Sequence, residues 1–588
     1  MGRALTIVLP AAVLAGSAWA DGGYFARTWG WLLVVAGAVV AAAATAVERL
    51  ELGRRALVFV GGLLALGAWQ LASSVRAVAP DVAVLEAERT LLYAAVAGGA
   101  LLAVPRGRSS ELRLAVLLGT GAATCAGLVV HALSPGAPPG RLEAPVGYAN
   151  AAGILAVTAL LLGLGSAGAE RGTQRALAAC VSVPAAAVLA LTLSRGALLA
   201  GALGLAMLVV TGRSVNYAVR LGVVALPSAA AAAAVLAGDP FSRPDAAGTE
   251  LAWLAVLGAL GIASSLLASW TSVLALPSIR GGRAAVTAGV VAAAALLTVA
   301  GALEVTGEAP PPAVQQGGPG RLLSASTGDR ADYWRVAAVA VADEPSLGIG
   351  AGGFARRWER ERDELVFVRD AHNLYLETLA ELGPVGLGAL LAVVAAPLVA
   401  RRRCVHSDGP ALAAYLALAA HAGVDWDWEL PAVTLCLLLL GVVLLHADGR
   451  ASTRRLGRAT RVGLSIAAAA LVSLGVIVSL GAASLDEADR ALDRGDAATA
   501  RENARRARRL APWSAEPWQL LGEAELAAGR VPRAQAHLRR ATRKDPRSWT
   551  AWLALAVATD GVERAAAIGR ARELNPLAPE IEFVAGDP

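Results

Sequence analysis

The chain has 588 residues, of which 56% are hydrophobic, and a mean hydropathy of +0.57. That is too apolar for a soluble protein of this length. The net charge of +6 is small and carried almost wholly by arginine, Lys544 being the single lysine, so nothing marks a nucleic-acid binder. The four cysteines, Cys125, Cys180, Cys404 and Cys436, form no CxxC pair and no disulfide framework, so no metal, redox centre or cofactor is expected.

Apolar blocks recur near 4–20, 29–48, 56–75, 90–104, 113–132, 149–168, 176–193, 196–211, 221–238, 251–275, 284–303, 374–400, 410–424, 430–447 and 462–483. Blocks of about 20 residues match the hydrocarbon thickness of a bilayer. The pattern predicts an all-α, polytopic transmembrane helical bundle of about 12–15 spans. Residues 1–20 also fit a cleaved signal peptide, with Arg3, an apolar run and Ala18-Trp19-Ala20. Short-loop arginines set the direction. One set of alternate loops holds Arg49, Arg54 and Arg55; Arg106, Arg108 and Arg113; Arg171 and Arg175; Arg213 and Arg220; Arg280 and Arg283; Arg401 to Arg403; and Arg450 to Arg461. The opposite loops hold only Arg27, Arg76, Arg89, Arg141, Arg195 and Arg243. This asymmetry puts the N-terminus in the cytoplasm, and 304–373 and the C-terminal tail outside.

The predicted divisions are N-terminal transmembrane helices over 1–120, a transmembrane core over 121–303, an extracytoplasmic loop or lid over 304–373, C-terminal transmembrane helices over 374–483, and a soluble module over 484–588. In the core, Gly147-Tyr148-Ala149-Asn150 opens a span on the outer side. Tyr148 suits an aromatic belt and Asn150 an N-cap, or both contact substrate. Ser194-Arg195-Gly196 interrupts two apolar blocks. A guanidinium at a helix end can snorkel cheaply to the interface, so Arg195 is an ordinary anchor or a ligand for an anionic group. In the lid, Arg330, Tyr333, Trp334 and Arg335 lie on a short amphipathic helix expected to end at Pro345. Tyr333 and Trp334 could stack on sugar rings. Gly348, Gly350 and Gly353 spell G-x-G-x-x-G without a βαβ context, so they predict a tight loop with Phe354 dipping into apolar surroundings, not a dinucleotide site.

His372-Asn373 stands where the lid re-enters apolar sequence. Glu377 and Glu381 follow at helical spacing, and Glu377 is placed to orient the imidazole. The alternative is that His372 and Asn373 merely cap a helix. His421, Asp425, Trp426, Asp427 and Trp428 share a short outer turn, where acids between tryptophans suit sugar hydroxyls or simple interfacial anchoring. After Leu485 the sequence turns charged and Ala-rich. Pro512 and Pro546 are 34 residues apart, as are Trp518 and Trp552. This resembles a tetratricopeptide repeat and predicts about three stacked helix pairs that bind or position a protein partner.

Taken together, LTLSRGALLAG at 191–201, the Arg330 pattern, PSLGIGAGGF at 345–354, AHNLYLETLAELGPVGL at 371–387 and HAGVDWDW resemble the O-antigen ligase/polymerase family. The resemblance covers residues 120–445. It implies a multi-pass protein of the cytoplasmic membrane that moves a glycan from a polyprenyl diphosphate carrier to a glycan, lipid or protein acceptor, without metal or nucleotide sugar. By motif, the family's essential arginines and histidine fall on Arg195, Arg330 and His372, with Arg335 and Arg321 as rivals for the second arginine. Tyr148, Asn150, Trp334, Arg335, Asn373, Glu377 and Asp425 are the expected substrate-binding residues. A polymerase, or a non-catalytic transporter or scaffold, is the alternative.

Overall fold

The computed structural model describes residues 2–133, 141–169, 172–212, 215–238, 249–273, 330–401, 408–447 and 452–586. The expected span at 284–303, the first part of the lid and the rival Arg321 lie outside them. The first half of the chain forms α1 (Arg3–Trp19), α2 (Ala26–Ala46), β1 (Arg49–Leu52), α3 (Arg54–Ser73), α4 (Pro80–Ala103), α5 (Ser109–Leu133), α6 (Ala149–Ala169), α7 (Gly172–Thr192), α8 (Arg195–Gly212), α9 (Val215–Gly238) and α10 (Thr249–Val273). Then come α11 (Arg330–Asp343), α12 (Phe354–Glu361), α13 (Leu374–Arg401), α14 (Gly409–His421), α15 (Pro431–His446), β2 (Ser452–Arg455) and α16 (Arg458–Asp493). The tail forms α17 (Ala497–Leu510), α18 (Glu516–Ala527), α19 (Val531–Lys544), α20 (Trp549–Ala558), α21 (Gly561–Leu574) and α22 (Pro579–Ala585).

The protein is all-α and polytopic. Among the described residues, ten helices are long and apolar enough to cross a membrane, and α1, α14 and α15 are shorter apolar helices. Helix α6 lies at the centre, with 94% of its spanning window buried. Small residues let others touch backbone to backbone, as membrane helices do in the absence of a hydrophobic drive between them. A Cβ on Gly30 of α2 would lie 2.9 Å from the carbonyl of Gly475 on α16. One on Gly119 of α5 would lie 2.9 Å from that of Ala11 on α1.

At one end of the bundle β1 pairs antiparallel with β2, Arg49 opposite Arg455. Arg461 there donates to the carbonyls of Ala44, Thr45 and Val47, satisfying the C-terminal groups of α2. Arg113 pairs with Asp408. These arginine-rich loops share a face, which agrees with the alternation read from the sequence. The lid segments α11 and α12 cover the other end, around a small core of their own that includes Val336, Phe354 and Trp358. Helix α11 ends at Asp343, two residues before Pro345.

The repeats depart from expectation in one respect. Helix α16 runs 36 residues without a break, so the last span is also the first helix of the repeat stack. It packs against α17, followed by the pairs α18/α19 and α20/α21. The stack does not stand free. Arg356 of α12 pairs with Asp545, Arg362 Nη2 donates to Asn575 Oδ1 at 3.0 Å, and Arg547 reaches the Arg76 carbonyl at 3.4 Å. The repeat module therefore sits on the lid end of the bundle.

Candidate functional site

Asp425, in the turn after α14, is 1% exposed. A carboxylate that deep needs donors around it. Arg330 Nη2 donates to Asp425 Oδ2 at 2.7 Å, Asn150 Nδ2 to the same oxygen at 2.6 Å, and Tyr148 OH to Oδ1 at 2.8 Å. Asn150 in turn accepts from Arg141, whose Nε donates to the Thr192 carbonyl at 2.6 Å. The start of α6, the end of α7, the start of α11 and the turn after α14 are thus tied at one buried acid. Burial, and then the Asp425 charge, push the Tyr148 phenol well above its ordinary range, so it stays a donor.

The turn between α7 and α8 supplies Arg195. Leu193 holds a left-handed φ of 49°, and the Ser194 hydroxyl accepts from the Ala197 amide at 3.3 Å. Arg195 is half-buried. A Cβ on Gly196 would stand 3.2 Å from His421 Nε2, so glycine is what lets this helix start approach the imidazole. His421 Nδ1 lies 3.1 Å from Asp427 Oδ2. Burial raises the Asp427 carboxyl, while His421 pulls it back down.

His372 stands beside this cluster and feels the charges of Asp425, Arg330 and Asp427. Its φ is 56°, the left-handed region. A non-glycine residue there costs about 1–3 kcal/mol and persists only where its surroundings hold it. Its Nδ1 lies 3.0 Å from the Asp370 carbonyl. A carbonyl only accepts, so Nδ1 carries the proton and Nε2 of the neutral ring keeps its lone pair. The ring packs on Tyr333, centroids 5.1 Å apart, and Tyr333 meets Trp358 edge-on at 4.9 Å. Burial lowers the imidazole below its ordinary value, so it is neutral near pH 7. The cluster offers a cation held in place by an acid, a neutral base and a fixed phenol donor.

The structure brings Arg330, Asp425, Tyr148 and Asn150 into direct contact, sets His372 beside them, and puts the Arg195 turn against His421. Arg335 points elsewhere, pairing with Asp363 at 3.1 Å and, more weakly, with Asp332. Trp334 is half-buried and its indole N–H has no hydrogen-bond partner. Asn373 is a cap: its Oδ1 accepts from the amides of Tyr375 and Leu376 at 3.1 and 3.0 Å. The orienting role expected of Glu377 belongs to the Asp370 carbonyl instead, because Glu377 accepts from the Ala371 amide, one residue short of the ring. Glu381 accepts from Gly352 N at 2.8 Å and Phe354 N at 2.9 Å, pinning the glycine loop, and Phe354 is fully buried as expected. Sequence reasoning missed Arg141 as a member of the site, and named His421 and Asp427 as parts of the outer turn without seeing that they pair. Arg141 stood out as one of few arginines on its side, a signal that could have found it. Among the described residues no group of three or more His, Cys, Asp or Glu side chains could hold a metal ion.

Comparison with known families gives two matches. Residues 246–391 match a family model described as O-Antigen ligase, and residues 491–558 match one described as Tetratricopeptide repeat. No curated protein matches the chain. The first match contains Arg330, His372 and the glycine loop; Tyr148, Asn150 and Asp425 lie outside it and join it through the contacts above, and Arg195 lies outside it as well.

Proposed function

Starting from an O-antigen ligase-type region in a multi-pass membrane protein, we propose that this chain moves a glycan from a polyprenyl diphosphate carrier to an acceptor hydroxyl at the outer face of the cytoplasmic membrane. The observation that carries the reading is the meeting of Arg330 with Asp425, beside a neutral His372 whose Nε2 is available as a base. The acceptor hydroxyl gives its proton to His372 Nε2. Its oxygen attacks the anomeric carbon, and the bond from that carbon to the diphosphate oxygen breaks. The electron pair leaves with the polyprenyl diphosphate, whose growing charge Arg330 and Arg195 stabilise, since a planar guanidinium grips two oxygens at once. Attack opposite the leaving group inverts the centre. The repeats share the lid's side, which this reading makes the extracytoplasmic one.

The test is release of polyprenyl diphosphate by the purified protein given a lipid-linked glycan. His372→Ala should slow release by about 10²–10⁴-fold and Arg330→Ala by about 10²–10³-fold, with membrane insertion intact. Undiminished release in both variants removes the assignment, and no release by the wild type points to a transporter or scaffold. A polymerase would use the same donor chemistry with a carrier-linked glycan as acceptor. Surface polysaccharide after gene deletion separates the two: shortened chains indicate polymerase, unattached chains ligase.

A further inference from the structure

The repeat module carries its charge unevenly. Helix α17 holds five arginines against one acid, and α19 four arginines and a lysine against none, although the whole chain has a net charge of only +6. Arg501 approaches Glu525 at 4.0 Å, and Arg539 pairs with Glu563. Arg508 and Arg540 lie over the Trp518 ring, 4.9 and 5.8 Å from its centroid. Arg505, Arg506, Arg509 and Arg543 are exposed, and among the described residues no carboxylate pairs with them.

These cations stand at the edge of the membrane. Arg27 Nη1 of α2 and Asp486 Oδ2 of α16 lie 3.6 Å apart, just beyond the apolar stretch of α16 that ends near residue 483. Helix α17 runs back to this level: a Cβ on Gly481 of α16 would lie 3.6 Å from the Cβ of Leu510, the last residue of α17. Arg509 is the residue before Leu510, and Arg505 stands one turn earlier. Lys544 Nζ donates to the carbonyls of Pro512 and Trp513 at 2.8 and 3.2 Å, which brings the end of α19 to the same place. Trp513 is 40% exposed, as an interfacial tryptophan is. Between α1, α2 and α16 lies a hollow of about 510 Å³, with Trp31, Leu32, Leu480 and Ala483 among its walls and Arg27 as its charged member. Trp31 is 53% exposed there, so the hollow opens sideways from the bundle. An apolar hollow below and unpaired arginines at the boundary above complement a lipid with an anionic head.

We infer that the membrane-facing end of the repeat module and the hollow beside it form a binding site for an anionic phospholipid of the leaflet on the lid side. The acyl chains occupy the hollow, and the headgroup phosphate meets Arg27 and the exposed arginines at the end of α17. A zwitterionic lipid fits the hollow but brings no net charge to the arginines. An acidic protein segment suits the arginines but leaves the hollow empty. The lipid joins the Arg356–Asp545 and Arg362–Asn575 contacts in holding the stack on the bundle. The inference needs only that the bundle spans a membrane, and it stands apart from the transfer chemistry.

The experiment places the full chain in nanodiscs of phosphatidylcholine and phosphatidylglycerol, in equal parts and with the same acyl chains. Native mass spectrometry counts the lipids it retains. Phosphatidylglycerol should be retained in preference. Arg505→Gln and Arg509→Gln should each reduce that preference about fivefold. Arg533→Gln removes the same charge from an exposed position at the other end of α19 and should leave the preference unchanged. Ala483→Trp, at an exposed position on the wall of the hollow, should lower retention of both lipids. Equal retention of the two lipids by the wild type overturns the inference. So does an effect of Arg533→Gln as large as that of Arg509→Gln, which would mean attraction to net charge alone. Phosphatidylglycerol retention unmoved by Ala483→Trp overturns it as well, because the arginines would then meet an anion that needs no acyl chains. Glycan transfer is not read, so the outcome is independent of the proposed reaction.

Discussion

Asp425 shows what a single buried acid can organise. Its three side-chain donors come from residues 275, 277 and 95 positions away in sequence. Replacing it with alanine leaves the Tyr148 hydroxyl, the Asn150 amide and the Arg330 guanidinium short of an acceptor at once. Asp425→Ala should therefore lower unfolding stability by about 1–3 kcal/mol and abolish transfer; thermal melts and the release assay check both, and an unchanged melt would mean water replaces the carboxylate freely. A finer test reads His372 itself. Burial lowers its pKa, Asp425 and Asp427 raise it, and Arg330 lowers it. In the wild type the ring should protonate below its ordinary value near 6.5. Asp425→Asn removes one raising charge, so the midpoint should move further down. Nuclear magnetic resonance titration of labelled histidine, with His372→Gln as the assignment control among six histidines, gives the answer. A midpoint above 6.5, or one unmoved by Asp425→Asn, contradicts the placement of the ring. The residue types of this cluster were legible in the sequence, as were their order and their common membrane side. Their partners were not, because nothing in a local pattern says that residue 150 reaches residue 425. The left-handed backbone at Leu193 and His372 was equally hidden, as neither residue type advertises it.

At the scale of elements, the loop between α11 and α12 explains why the sequence needs so many glycines there. Gly348, Gly350 and Gly352 hold φ values of 67°, 94° and 66°. The loop is held from every side. Ile349 N and Gly350 N donate to the Ala380 and Glu381 carbonyls at 3.0 and 2.8 Å, Val78 N donates to the Ile349 carbonyl at 3.0 Å, and Ser73 Oγ accepts from Ala351 N at 3.1 Å. It thereby fastens α11 and α12 to the tops of α3 and α13. A Cβ on Gly350 would come within 2.3 Å of the Ala77 Cβ, a contact that backbone must move to relieve. Left-handed strain and the clash together predict a loss of about 2–4 kcal/mol for Gly350→Ala, with the lid displaced and transfer impaired. Gly388→Ala is the control. That position lies inside α13 with nothing within 4 Å of a new Cβ, so it should be neutral or stabilising by up to about 1 kcal/mol. Similar melts for the two variants would show that the loop is not held as described. Rejecting a dinucleotide loop and expecting a tight turn were possible from the sequence, because the surrounding pattern was helical and not βαβ. Its clamp on α3 was not, since Ser73 and Ala77 look like ordinary residues at a helix end.

For the whole molecule, the continuous α16 turns a membrane span into the base of the repeat stack, so the stack cannot be oriented independently of the bundle. The 34-residue period announced the repeats, but periodicity describes only contacts between neighbouring repeats. The contacts that dock the stack lie on its outer side, at Asp545 and Asn575, and are invisible to it. Two acids at this junction give the docking a pH dependence. Burial raises the carboxyl of Asp81, at the very start of α4 and facing Arg356 and Asp545. It also raises that of Glu359 on α12, despite a hydrogen bond from Trp549 and the nearby Arg356 and Arg362. Both prefer their protonated form when docked. Their contribution is complete below the ordinary carboxylate values and is lost as pH rises through the raised ones. The Arg356–Asp545 contact is the other part of the clamp. Hydrogen exchange of α20 and α21 should therefore be slowest in mildly acid buffer and speed up towards neutrality beyond the intrinsic chemical effect. Asp81→Asn with Glu359→Gln should flatten that excess. Asp545→Ala, which leaves Arg356 without its buried partner, should raise exchange at every pH, by an opening cost of about 2–4 kcal/mol. If the exchange of the stack has no pH-dependent excess, the acids are solvated at the junction and the docking is held by the arginine contacts alone.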